Sequence, residues 1–234
     1  MATGSEHVTT TIGPHHTRLA DRDTLLVALT MASGAVDAIS YLALGKVFTA
    51  FMTGNLVFLG IGVSGTDGPE VGPVSISLIG FATGVLAARR ILGDEGRDVW
   101  PAPVTTLLEL VALLQLAFLG GWLSADGNPG PAGTDVLIAL SAAAMGLQSG
   151  AVRALNVPGV FTTAATATII GLMTDVAAPQ GAREPARLAG VVVALVVGAT
   201  SAALLLANVR QLAPVLPLTV TAGVVVAARV GVAR

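Results

Sequence analysis

The stretch SGAVDAISYLALGKVFTAFMTGN, residues 33–55, opens with a phrase that the chain writes twice. SGAVDA at 33–38 returns as SGAVRA at 149–154, with Asp37 exchanged for Arg153 and the other five letters kept. Each copy leads through an extended-looking segment, ALGKVFT or NVPGVFT, into a short apolar run rich in Gly and Thr. The order V-F-T followed by a further Thr also repeats, as Val47–Thr49 with Thr53 and as Val160–Thr162 with Thr166.

The surroundings of the repeat are those of a membrane protein. Of 234 residues, 53% are hydrophobic and 11% charged, against about 25% charged in soluble domains. The net charge of −2 offers no basic face for nucleic acid. The chain has no cysteine, which excludes disulfides and thiol chemistry. His7, His15 and His16 are all near the N-terminus, leaving no His ligand or relay in the body of the chain. We expect no metal, no cofactor and no catalytic residues. Residues 1–22 read as a disordered cytoplasmic tail without the pattern of a secretory signal.

A spanning helix needs about 20 apolar residues. Six runs come near that length, at 24–44, 71–90, 104–124, 134–155, 187–207 and 212–231. The runs at 47–63 and 160–176 are shorter, and Pro158 pushes Val157 away from helical geometry. Basic residues concentrate on the cytoplasmic side of membranes. With six spans, two re-entrant short helices and an inside N-terminus, ten of the twelve Lys and Arg residues lie inside, leaving Lys46 and Arg210 outside. Eight full spans would divide them six against six. Trp100 and Trp122 bracket the third span as interfacial aromatics do.

The predicted fold is an all-α polytopic membrane protein with six transmembrane helices plus two re-entrant short helices. Its first membrane repeat is 23–127 and its second 128–234. Three spans per half make the second half upside down, an inverted 3+3 repeat of the kind common among secondary transporters.

Non-helical backbone cannot face lipid, so both lead-in segments must be buried or line a polar cavity. Short helices beginning near Thr49 and Thr162 would present free N–H groups near the membrane centre. Thr49, Thr53, Asn55, Thr162, Thr163 and Thr166 are the candidate lining of a site for a small polar or anionic solute. Equally, the threonines can cap the short helices or bond back to the preceding turn. Asp37 and Arg153 are candidates for coupling or gating. Asp37 can instead be a structural partner of Lys46 or of backbone, and Arg153 can snorkel from a helix end. Gln148, Asn156 and Tyr41 are secondary candidates. Glu109 reads as an acid near a helix start. Gly80-x-x-x-Gly84, Gly146-x-x-x-Gly150 and Thr30-x-x-x-Gly34 fit close helix packing, within the fold or in a homo-oligomer.

GAVDAISYLALGKVFTAFMTGNLVFLG at 34–60 and GLQSGAVRALNVPGVFTTAATATIIGL at 146–172 resemble the signatures of the YoaK family, bacterial integral membrane proteins classed as a domain of unknown function. The resemblance implies a multi-pass protein of the inner (plasma) membrane. It supplies neither a substrate nor catalytic residues. The residues themselves point to a transporter or channel with cytoplasmic termini, and a non-transporting membrane scaffold or partner-binding subunit is the alternative.

Overall fold

The structure is a computed structural model that describes residues 14–93, 100–155, 157, 165–177 and 183–232. The described residues form helices and connecting turns, with no strand among them. In chain order the helices are α1 (Pro14–Ala43), α2 (Met52–Val63), α3 (Val71–Leu92), α4 (Ala102–Ser124), α5 (Pro131–Ala154), α6 (Ala165–Ala177), α7 (Arg183–Asn208) and α8 (Val215–Val232), with a 3₁₀ turn at Arg210–Leu212 before α8. Helix α1 thus begins well inside the segment read from sequence as a tail.

Six stretches are long and apolar enough to cross a bilayer: Arg22–Ala43, Val71–Leu92, Ala102–Ser124, Pro131–Ala154, Ala186–Asn208 and Arg210–Gly231. They match the six runs expected from sequence to within a few residues. Helices α2 and α6 have 12 and 13 residues, or about 18 and 20 Å at 1.5 Å per residue. A hydrocarbon core is about 30 Å thick, so α2 is too short to cross it as a helix, and the described part of α6 is of similar length. Helix α2 begins three residues later than the sequence suggested, at Met52 rather than near Thr49; the start expected near Thr162 lies outside the described residues.

Local chemistry sets several boundaries. Helix α1 stops where Gly45 and Lys46 take left-handed φ values of 88° and 62°, a conformation that costs Gly little and Lys more. Helices α4 and α5 carry Pro in their first turn, where its missing N–H removes no helical bond.

Buried side chains form two clusters, one toward each end of the bundle. The first joins the early part of α1 (Leu26, Leu29), α4 (Val104, Leu107) and α7 (Leu188, Val191) to the late part of α3 (Ala88, Leu92), α5 (Ala151, Val152) and α8 (Val224). The second joins the late part of α1 (Ile39, Leu44 beyond its end), α4 (Phe118, Trp122) and α7 (Ala202, Leu206) to the early part of α3 (Val74), α5 (Leu137, Ile138) and α8 (Leu216). Helices α1, α4 and α7 therefore run one way, and α3, α5 and α8 the other. Charged pairs agree with this register. Arg187 on α7 meets Asp23 on α1 at 3.6 Å, and Arg229 on α8 pairs with Glu109 on α4, all at the first-cluster end.

The two most extensive helix contacts are α3 with α5 and α1 with α7, and glycines set both. A Cβ at Gly84 would strike the carbonyl oxygen of Ala143, and one at Gly146 that of Phe81. Across the other pair, Gly34 faces the Leu195 carbonyl and Gly198 the Met31 carbonyl in the same way. The small-residue spacings noted in the sequence are thus packing surfaces within one chain, where backbones approach closely and dispersion replaces the hydrophobic effect that lipid does not supply.

At the second-cluster end, Trp122 is fully buried within the protein, near the end of the span Ala102–Ser124. Its indole N–H donates to the Arg210 carbonyl at 3.1 Å, Arg210 Nε donates to the Gly127 carbonyl at 2.6 Å, and the guanidinium lies 5.5 Å from the Trp122 ring centroid. This ties the α4–α5 loop to the turn before α8.

Gly84→Leu and Gly198→Leu should each cost about 3 kcal/mol or more, the upper range for overpacking a filled interface, and lower the unfolding temperature in detergent. Gly223→Ala, where a Cβ meets nothing within 4 Å, should leave it unchanged or raise it.

Candidate functional site

The segment between α1 and α2 is where the structure departs from regular geometry. Val47 belongs to the second core cluster and Ala50 to the first, so the chain moves from one end of the bundle toward its middle before α2 begins. Its backbone groups need partners, and three side chains, of Asp37, Asn55 and Ser77, provide them.

Asp37 Oδ1 accepts hydrogen bonds from the N–H of Thr49 at 2.9 Å and of Ala50 at 2.8 Å. These bonds hold both residues out of the helix and explain its later start at Met52. Asn55 Oδ1 accepts from the Phe48 N–H at 3.0 Å, while its Nδ2 donates to the Phe48 carbonyl at 2.6 Å. The side-chain amide thereby pairs with both backbone groups of one residue, as a neighbouring strand would. Ser77 Oγ on α3 donates to the same carbonyl at 2.6 Å and receives Asn55 Nδ2 at 3.1 Å. Thr49 Oγ1 shares a 2.9 Å bond with Ser141 Oγ on α5. Thr49, Asn55 and Ser77 are fully buried.

Aromatic rings cover this segment. Phe48 stacks on Tyr41 and on Phe58 with centroids 5.1 and 5.7 Å apart, and meets Phe51 edge-on at 5.4 Å. A Cβ at Gly54 would press on the Phe51 and Phe48 rings. In the MTGN motif, then, the glycine makes room for rings and the asparagine braces the backbone.

Beside this structure lies a half-open cavity of about 610 Å³ between α1, the lead-in to α2, α6 and α7. Its polar lining comprises Ser33, Asp37, Tyr41, Thr166 and Thr200; the remaining wall is apolar or aromatic, including Phe48, Phe51, Leu195 and Ala203. Among the described residues, Asp37 is the sole charged side chain in that lining.

The sequence-derived candidates therefore separate. Asp37 and Thr166 line the cavity together, as does Tyr41. Thr49 and Asn55 are adjacent but spend their polar groups on the protein. Thr53 is exposed on α2 away from the cavity lining. Arg153 is exposed in the last turn of α5 and makes no pair with Asp37. Lys46 does not pair with Asp37 either; its Nζ sits 5.3 Å from the Tyr41 ring centroid. Thr162, Thr163 and Asn156 lie outside the described residues. Gln148 is buried with Nε2 donating to the Leu29 carbonyl at 3.2 Å. Glu109 is engaged by Arg229.

Ser33, Ser77, Ser141, Thr200, Phe48 and Phe51 were not foreseen. Two of them left a trace in sequence: Phe48 is the middle letter of the repeated V-F-T, and Ser33 opens the repeated phrase four residues before Asp37 and so lies on the same helix face. Among the described residues, no three His, Cys, Asp or Glu side chains gather into a metal-binding group.

Comparison with known proteins places the chain. A family model described as "Protein of unknown function (DUF1275)" matches residues 25–228. Over 160 residues the chain is 38% identical to the UPF0700 transmembrane protein YoaK of Bacillus subtilis (strain 168), a match covering 68% of this chain and 69% of that protein. No solved structure matches. With six helices long and apolar enough to span a bilayer, the chain is a multi-pass membrane protein and belongs to the DUF1275 family, together with YoaK.

Proposed function

We propose that the protein moves a small polar solute across the bacterial inner membrane through the cavity at Asp37, without chemical conversion of the solute. The observation that carries this reading is a carboxylate near mid-bundle, on the wall of a half-open cavity that the lead-in to α2 and helix α6 both reach. Phe48 and Phe51 bring the lead-in of α2 to it, and Thr166 and Ile169 bring α6. An ionisable group at membrane depth costs about 3 kcal/mol or more and marks functional sites by default. The negative wall favours a neutral or positively charged solute over an anionic one, because an anion would meet Asp37 and find the Thr49 and Ala50 N–H groups already taken.

The architecture that supports transport is an inverted 3+3 repeat with α2 and α6 re-entrant. Helix α1 ends and α3 begins in the second-cluster end of the bundle, whereas α5 ends and α7 begins in the first-cluster end. Each short helix would then enter and leave by one face, and by opposite faces. Exchanging α1–α4 with α5–α8 maps the contact of α1 with α7 onto that of α5 with α3, α1 with α8 onto α5 with α4, and α2 with α3 onto α6 with α7. Arg22, Arg89, Arg90, Arg153, Arg187 and Arg229 belong to the helix ends of the first cluster, while Lys46 and Arg210 belong to the other end. The first-cluster end, with both termini, is accordingly cytoplasmic.

Two measurements test this. Single cysteines at Thr66 and Gly181, labelled in intact cells with a membrane-impermeant maleimide, should give labelling at Thr66 and protection at Gly181; equal behaviour of the two sites would remove the inverted topology. Proteoliposomes in iso-osmotic glycerol, neutral amino acids or methylammonium should swell faster than empty liposomes for at least one solute, and Asp37→Asn should slow that flux tenfold or more. Asn55→Ala should instead lower the yield of folded protein and leave flux per folded molecule close to normal. Swelling equal to empty liposomes for every solute would favour a membrane scaffold.

A further inference from the structure

We infer that the cavity at Asp37 takes an organic cation: a protonated amine or quaternary ammonium carrying an apolar or aromatic body. The inference rests on this cavity being the solute site proposed above, and it names the solute's chemical class.

Four observations converge. Among the described residues, Asp37 supplies the only charge on the lining, and no Lys or Arg there neutralises it. The backbone of Thr49, Ala50 and Phe51 donates to the carboxylate, with the Thr49 and Ala50 bonds on Oδ1. An ionised carboxylate offers about four acceptor sites, which leaves room for a ligand's positive head.

Aromatic side chains stand beside that acceptor. Tyr41, Phe48 and Phe51 all line the cavity and pack against one another. Ring faces attract cations through their quadrupole, and walls of this kind recognise ammonium groups. The protein already uses this surface for an ammonium, since Lys46 Nζ lies 5.3 Å from the Tyr41 centroid.

A third feature is an orphan. Ser33 lies one helical turn before Asp37, lines the cavity and is 1% exposed, yet its Oγ has no hydrogen-bond partner. Leaving a buried hydroxyl unpaired is unfavourable. An amine N–H or a solute hydroxyl in the cavity would satisfy it.

Finally, the rest of the wall requires an apolar body. Ala38, Leu42, Ile169, Leu195, Ala199 and Ala203 offer no hydrogen bonds from their side chains. The volume of about 610 Å³ falls within the range of about 300–1,000 Å³ typical of small-molecule sites. A small hydrated inorganic cation would gain little from such a wall, and a lipid tail would make no use of the carboxylate.

The test is equilibrium binding to the full chain in nanodiscs, by isothermal titration calorimetry. The probes share a benzyl group and differ in charge: benzyltrimethylammonium, benzyl alcohol and phenylacetate. Saturable binding of the ammonium is expected, at least tenfold tighter than the neutral and anionic probes. Asp37→Asn keeps an oxygen for the Thr49 and Ala50 N–H groups and should abolish the preference for the cation. Phe51→Leu leaves the hydrogen bonds of Asp37 in place and should weaken ammonium binding at least fivefold. If Asp37→Asn fails to fold, Phe51→Leu decides. Equal binding of the three probes, no binding of the ammonium, or a folded Phe51→Leu variant with unchanged affinity would overturn the inference. Flux of a neutral solute without ammonium binding would overturn this inference and leave the transport reading intact. Ammonium binding with no flux of any solute would do the reverse.

Discussion

The constraint on which this structure depends is that backbone at membrane depth must be hydrogen-bonded without help from water. A helix meets it internally, but residues 47–51 are not helical. Their groups are met by side chains from three helices: Asp37 from α1, Asn55 from α2 and Ser77 from α3. Each supplies what a missing strand or turn of helix would have supplied. Once those partners are fixed, the course of the lead-in is fixed, and with it the place where α2 starts. The aromatic stack over Phe48 then shields the polar brackets from lipid.

Much of this architecture was legible in the sequence because hydrophobic length is a strong signal. Six spans, two shorter helices and a break after Leu44 all followed from run length, Gly45 and the position of Lys and Arg. The repeated phrase pointed to residues that do matter, Asp37 and Asn55 among them. Their roles were less legible. In a spanning helix nearly every face is apolar, so periodicity does not say which way a lone Ser, Thr or Asn points. Ser77 and Ser141 look like ordinary small residues in apolar runs, and only the packing of α3 and α5 against the lead-in turns them inward. Thr53 fits the same motif as Asn55, yet two residues along a helix rotate it to the opposite side. The cavity's aromatic wall was hidden for the same reason.

The exchange of Asp37 for Arg153 acquires a physical meaning from these contacts. Asp37 can accept hydrogen bonds from backbone N–H groups, whereas a guanidinium has none to accept. Whatever partners the second lead-in has, the bracket seen in the first cannot be reproduced by Arg153. The two halves share a phrase, but the position of the bracketing acid in the first is a donor-only side chain in the second. Arg153 instead ends its helix exposed, where a cation also complements the helix dipole.

The glycine contacts carry a mechanical consequence. They join α1 to α7 and α3 to α5, each time a helix of the first half to one of the second. The halves in sequence are consequently not separate bodies in space. The natural units are interleaved: α1, α6, α7 and α8 in one, and α2, α3, α4 and α5 in the other. Few contacts cross between these units, chiefly α4 with α8 and α1 with α5. The Asp37 bracket lies on that seam, since α1 belongs to one unit and the lead-in to α2 runs into the other. Sliding of one unit past the other would strain two hydrogen bonds to a single carboxylate oxygen and leave the glycine-locked interfaces whole. A cation seated on the same carboxylate would lie on that seam, so that occupancy and sliding would act on one contact.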